Sequence, residues 1–198
     1  MATDPALPEA FAVTLYVVRT LERLGVRYLI GGSLASSLHG LPRSTNDADL
    51  VAELRGAKVD QFVADLRAEF YVDAGMIRDA IARGASFNLI HLATMFKVDV
   101  FVGTRDPMIQ EELSRRAEHL LAPNSAERAY FATPEDTILQ KLDWYKKGGS
   151  ISDRQWSDVL GVIKVQGATL DSEYLRHWAP HLHVADLLER ALEEAASP

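Results

Sequence analysis

Asp47 and Asp49 sit two apart in the segment Asp47-Ala48-Asp49-Leu50. In a β-strand alternate residues share a face, so the two carboxylates project together while Ala48 and Leu50 point the other way. Carboxylates that close repel one another unless a cation or a proton intervenes. A hard divalent cation such as Mg²⁺, usually held by one or two carboxylates together with substrate phosphate oxygens, suits that pair. Upstream, Gly31-Gly32-Ser33 follows the apolar run Tyr28-Leu29-Ile30 and leads into a short helical stretch from Leu34 to His39. Backbone N–H groups at such a helix start can face an anion. A third acid, Asp99, lies in Met95-Phe96-Lys97-Val98-Asp99-Val100-Phe101-Val102, where Val98, Val100 and Val102 share one strand face and Asp99 takes the other. If that strand lies beside the one carrying Asp47 and Asp49, three carboxylates meet on one patch of sheet. Such a patch is suited to two-metal phosphoryl or nucleotidyl transfer.

The combination Gly32-Ser33, then Asp47-x-Asp49-Leu50, with Asp99 alone on a later strand, resembles the signature of the DNA polymerase beta-like nucleotidyltransferase superfamily. The resemblance is sharp from about Val26 to Val102. It continues more weakly through Thr133-Pro134-Glu135-Asp136, which opens a helix bearing Lys141, and through Arg154 and Asp158 on the next helix. That part looks like the small bacterial nucleotidyltransferases of the abortive-infection and toxin–antitoxin type. The resemblance implies that Gly31, Gly32 and Ser33 grip a nucleoside triphosphate, ATP among the choices. It implies that Asp47 and Asp49 hold two Mg²⁺ ions, and that Asp99 helps bind metal and activate the acceptor. Arg43, Lys141, Arg154 and Asp158 are the further candidates for the nucleotide site. The acceptor is unidentified, with a protein or an RNA as the candidates, and the rival from another class is an antitoxin-like protein that keeps the fold and docks a helical partner.

Each of these residues also has an ordinary role. Gly-Gly-Ser is common in turns, because glycine accepts turn dihedrals anywhere. Arg43 can meet phosphate or balance Asp47. The Lys141 stem can cover apolar surface with its amine in water, or the amine can reach a triphosphate. Arg154 and Asp158, four apart on a helix, make an ordinary surface ion pair if they have no site role. His177, His181 and His183 are read as structural or surface residues, since Pro180 interrupts their helical spacing and no acid completes a metal geometry. A serine hydrolase built on Ser33 with His39 or His91 lacks a Gly-x-Ser-x-Gly elbow and leaves the three acids unused. Trp144, Trp156 and Trp178 are read as core.

The elements that must position these groups alternate as in an α/β domain. Phe11, Leu15, Val18 and Leu21 recur at helical spacing, and Gly25 ends that helix. Strands follow at Tyr28–Ile30 and Asp47–Leu54, with a helix whose stripe is Val59, Phe62, Val63, Leu66 and Phe70. A strand is predicted near Tyr71-Val72 and a helix from Met76 to Ala82. Phe87–Leu92 and Met95–Val102, joined by Ala93-Thr94, are predicted to form a hairpin and make the sheet mixed. Ala129–Ala132 is a further strand. From Thr133 only helices are expected, with Thr133, Ser152 and Asp171 as caps and a last helix from Val184 to Ala195. The predicted organisation is therefore a nucleotidyltransferase-type mixed sheet flanked by helices over residues 1–132, and a helical region over 133–198 packed on it.

Composition agrees with an enzyme-sized globular fold. The 198 residues are 47% hydrophobic and 25% charged, enough for a substantial core. With no cysteine, disulfides and thiolate metal sites are excluded. The net charge of −7 argues against a broad nucleic-acid surface, which needs a basic face. The pairs Arg115-Arg116 and Lys146-Lys147 read as solvated helix surface. Met1–Pro8 lacks a signal-peptide pattern and no apolar run approaches a membrane span, so a cytoplasmic location without membrane partners is expected.

Overall fold

The computed structural model describes residues 7–103, 105–121 and 125–196. Of the amino-terminal stretch read for a signal peptide, only Leu7 and Pro8 fall within them. The chain forms two compact units, residues 1–31 with 45–131, and residues 32–44 with 132–198.

The first unit is built on a seven-stranded mixed sheet. Its strands are β1 (Tyr28–Ile30), β2 (Asp47–Ala52), β3 (Phe70–Tyr71), β4 (Ser86–His91), β5 (Lys97–Phe101), β6 (Ala117–Leu120) and β7 (Arg128–Phe131), in the order β3-β4-β5-β2-β1-β7-β6. β2 runs parallel to β5 and antiparallel to β1, while β4 and β5 form the expected antiparallel hairpin. β1 and β7 are parallel as well, so parallel and antiparallel pairs are mixed on both sides of the sheet centre. The strand predicted to reach Leu54 ends at Ala52, and the hairpin turn is longer than two residues, with Met95 in a left-handed conformation at φ 60°.

Alternation along the strands divides the sheet into a packed face and an open one. Ala48, Leu50 and Ala52 of β2, Val98 and Val100 of β5, and Phe87 and Leu89 of β4 are all buried. Over that face lie α1 (Glu9–Arg23) and α3 (Val59–Leu66), with the Phe62 ring edge-on to Phe87 at 6.2 Å. Val17, Val18 and Leu21 of α1 are fully buried, and Gly25 closes that helix at φ 59° as anticipated. A helix α4 (Ala74–Arg83), capped by Asp73, precedes β4, and α5 (Pro107–Arg115), capped by Asp106, follows β5.

The second unit is helical. It consists of α2 (Gly32–His39), α6 (Pro134–Lys147), α7 (Asp153–Gln166), α8 (Ser172–Trp178) and α9 (Ala185–Ala196). Thr133, Ser152 and Asp171 cap α6, α7 and α8 through their side chains, as their types predict. The core is Ile138, Leu139 and Leu142 of α6 against Val159 and Val162 of α7. Residues 32–44 join these helices by backbone closeness. A Cβ on Gly40 would lie 2.8 Å from the Val162 nitrogen and 2.9 Å from the Gly161 carbonyl carbon, so only glycine lets the end of α2 rest on α7. The buried His39 adds an Nε2 contact of 2.7 Å to the Ala132 carbonyl, and Gln166 donates to the His39 carbonyl at 2.7 Å. Trp144 departs from the core reading: it is 60% exposed, while Trp156 is buried.

Candidate active site

On the open face of the sheet the register fixes which side chains are neighbours. Asp49 of β2 stands directly opposite Asp99 of β5, and Asp47 stands opposite Lys97. Asn88 of β4 flanks Asp99 on its other side. Adjacent strands lie about 4.8 Å apart, so Asp47, Asp49 and Asp99 occupy one small patch of sheet. Asp99 points away from the buried Val98 and Val100, as the strand period requires. Thr45 donates from its hydroxyl to the Asp47 carboxylate at 2.8 Å and to the Asp47 carbonyl at 3.1 Å, holding the strand's first residue in place. At the end of β1 the Gly31 N–H donates to the Asp49 carbonyl at 2.8 Å.

Lys97, which is not among the candidates named from the sequence, places a cation on this face. Its Nζ lies 2.6 Å from Asp99 Oδ2. The bond to Asp99 raises the Lys97 pKa most, burial opposes it, and the charges of Asp99, Asp47 and Asp49 add to the rise. Among the described residues no three acidic or histidine side chains are gathered closely enough to ligate a metal ion. What the register provides is a set of hard oxygen donors around a positive charge, with an ammonium standing where a cation is attracted. That donor chemistry fits Mg²⁺.

In the helical unit Ser33, Arg43, Lys141 and Asp158 form a second cluster. The Arg43 guanidinium donates to both oxygens of Asp158, Nε to Oδ1 at 2.8 Å and Nη2 to Oδ2 at 2.9 Å. Lys141 Nζ donates to Asp158 Oδ2 at 2.7 Å. The Ser33 hydroxyl receives Arg43 Nη2 at 2.6 Å and Lys141 Nζ at 3.5 Å. Arg43 is steadied by its own N–H, which donates to Ser37 Oγ at 3.3 Å. Burial alone would raise the Asp158 pKa, but the bonds from Arg43 and Lys141 outweigh it and hold the carboxyl below the ordinary aspartate value. Two cations and one carboxylate thus gather beside the Ser33 hydroxyl and the first turn of α2. Gly32, which opens that turn, has φ 55°, a left-handed conformation that favours glycine.

This arrangement corrects several expectations. Arg43 pairs with Asp158. Lys141 is buried, with its amine bonded to Asp158, so its amine does not end in water. Arg154 is exposed on the first turn of α7 and makes no ion pair with Asp158, whose oxygens are taken by Arg43 and Lys141. His39, considered as a base for Ser33, is instead engaged by Ala132. The rings of His177 and His181 stand edge-on to Trp178 at 5.2 and 5.5 Å, in keeping with the structural reading of those histidines. No helix among the described residues is long and apolar enough to cross a membrane.

The sequence matches no protein-family model and no curated protein. Solved structures do resemble it. A crystal structure of an antigenic nucleotidyltransferase-like protein from Paracoccidioides brasiliensis superposes with a TM-score of 0.55 at 19% identity, covering 96% of this chain and 95% of that one. The solution structure of the antibiotic-resistance factor ANT(2'')-Ia superposes with a TM-score of 0.53 at 13% identity, covering 90% of this chain and 94% of that one. Likeness over nearly the whole of each chain, together with the mixed sheet and its register, establishes that the fold of this protein is nucleotidyltransferase-like.

Proposed function

We propose that this protein is a Mg²⁺-dependent nucleotidyltransferase, which transfers a nucleoside monophosphate from a nucleoside triphosphate to an acceptor hydroxyl and releases pyrophosphate. The observation that carries the reading is the pairing of Asp49 with Asp99 on the open face of the sheet, two positions along the strands from Asp47 and Lys97. Asp47 and Asp49 are the residues to hold metal, with Asp99 as the third ligand on the acceptor side. Mg²⁺ bound there supplies charge neutralisation at the phosphate and acidifies the attacking hydroxyl.

The chain's own residues account for the remaining work. Asp99 accepts the proton of the acceptor hydroxyl as its oxygen bonds to the α-phosphorus. The bond from that phosphorus to the bridging oxygen breaks in line, and pyrophosphate leaves with the electron pair. The Ser33 hydroxyl and the N–H groups at the start of α2 bind β- and γ-phosphate oxygens. Arg43 and Lys141 balance the triphosphate charge, and Asp158 positions both cations.

The test is transfer of label. Wild-type protein incubated with Mg²⁺, α-labelled nucleoside triphosphates and a cell extract is expected to label a discrete product. Asp49→Asn, which keeps size and removes the charge, is expected to lower labelling by orders of magnitude while circular dichroism shows an unchanged fold. Undiminished labelling by folded Asp49→Asn would overturn the reading.

A further inference from the structure

The Lys97–Asp99 pair is an odd feature for a face meant to attract metal. Alternation along β5 puts Lys97 and Asp99 on the same side, and the register sets Lys97 opposite Asp47 and Asp99 opposite Asp49. The ammonium reaches back along its own strand to Asp99 Oδ2 at 2.6 Å, so it neutralises the acid that has a like charge directly across the strand boundary. The side chains are partly open to solvent, 42% for Lys97 and 31% for Asp99. An ion pair of that exposure is exchangeable, since its attraction is only modestly greater than that of water and salt.

Resting on the metal-binding reading above, we propose that Lys97 is a tethered cation that occupies the carboxylate face in the metal-free protein and gives up Asp99 when a divalent cation binds there. Register and alternation place three carboxylates and the Lys97 ammonium on this patch. Without the ammonium, Asp99 would lose the cation that bonds its Oδ2 while still facing the like charge of Asp49 across the strand boundary. With it, the oxygen that a metal would use is already hydrogen-bonded. Lys97 therefore competes directly with metal for Asp99, and it repels the incoming cation at the same time. The consequence is a face kept quiet until metal is abundant or arrives with the nucleotide's own negative charge.

Calorimetric titration of Mn²⁺ into the full-length protein, without nucleotide, tests this by binding alone. Lys97→Met removes the charge and keeps most of the stem; it is expected to bind Mn²⁺ about three- to fivefold more tightly than wild type at low salt, the upper scale of an exposed ion pair. Lys97→Gln, a second uncharged variant, is expected to behave alike. Lys97→Arg keeps the charge and is expected to stay within about twofold of wild type. The advantage of the uncharged variants should shrink in high salt, where exposed charges are screened. If wild type binds Mn²⁺ and both uncharged variants bind equally or more weakly, the role of Lys97 is overturned and the metal reading stands. If neither wild type nor any variant binds Mn²⁺, both fall.

Discussion

Asp158 accepts three charge-assisted bonds in the helical unit, and removing it should be costly. Its side chain is 6% exposed and that of Lys141 is 9%, whereas Arg43 retains 25%. Asp158→Ala deletes the acceptor of three charge-assisted bonds. Breaking a buried ion pair from one side costs roughly 3–5 kcal/mol, because the remaining charge is left uncompensated. Arg43 can turn part of its guanidinium to water, so about 3 kcal/mol is expected here. For a chain of this size that corresponds to a fall in melting temperature of about 6–12 °C. Asp158→Asn keeps one acceptor oxygen but turns an amide donor toward a cation, and about 2 kcal/mol is expected. Urea unfolding at neutral pH, followed by circular dichroism, measures both. A cooperative transition with less than about 1 kcal/mol lost in Asp158→Ala would refute the argument that Asp158 is the counter-ion of Arg43 and Lys141. The pH dependence gives a second arm. The folded Asp158 pKa lies below the ordinary value of 3.8, so its stabilisation is fully present above that value and is lost as pH falls through the folded pKa. Wild type should therefore lose stability more steeply below about pH 4 than Asp158→Asn, which has no carboxyl to protonate.

Unfolding measurements check three further outcomes. Mg²⁺ with a nucleoside triphosphate at about a hundred times its dissociation constant should stabilise the protein by roughly 2.7 kcal/mol, and the triphosphate with chelator should do so much less; equal shifts in thermal scans would separate nucleotide binding from the acids. Gly40→Ala should cost roughly 1–3 kcal/mol in thermal unfolding, since its Cβ would press on the α7 backbone. By contrast Gly161→Ala, whose Cβ would meet Leu41 at an ordinary 3.5 Å, should be neutral or gain up to about 1 kcal/mol from helix propensity.

What could be read from the sequence and what could not divides along a physical line. Strand faces were legible because the period of two is local: Val98 and Val100 alternating with Asp99 already placed the acid on the open side, and the parallel pairing of β2 with β5 then set it beside Asp49. The caps at Thr133, Ser152 and Asp171 were legible for the same reason, since a side chain there bonds a backbone N–H within three residues. β6 was missed: its four residues, Ala-Glu-His-Leu, carry no β-branched side chain, and it pairs only at the sheet edge with β7. Trp144 was misread although its phase was available. Ile138, Leu142 and Tyr145 mark the buried face of α6, and a residue two positions from Leu142 is rotated about 200° from it, toward solvent. Lys97 was open to the same reasoning, since it shares the period of Asp99. The partners of Asp158 were of another kind. Helical spacing offered Arg154 four residues away, but Arg43, 115 residues distant in sequence, brings a planar fork that fits both carboxylate oxygens. That choice is made by the packing of α2 on α7, which depends on the absence of a side chain at Gly40. Periodicity therefore told which way each group faces, and a contact between backbones decided which groups meet.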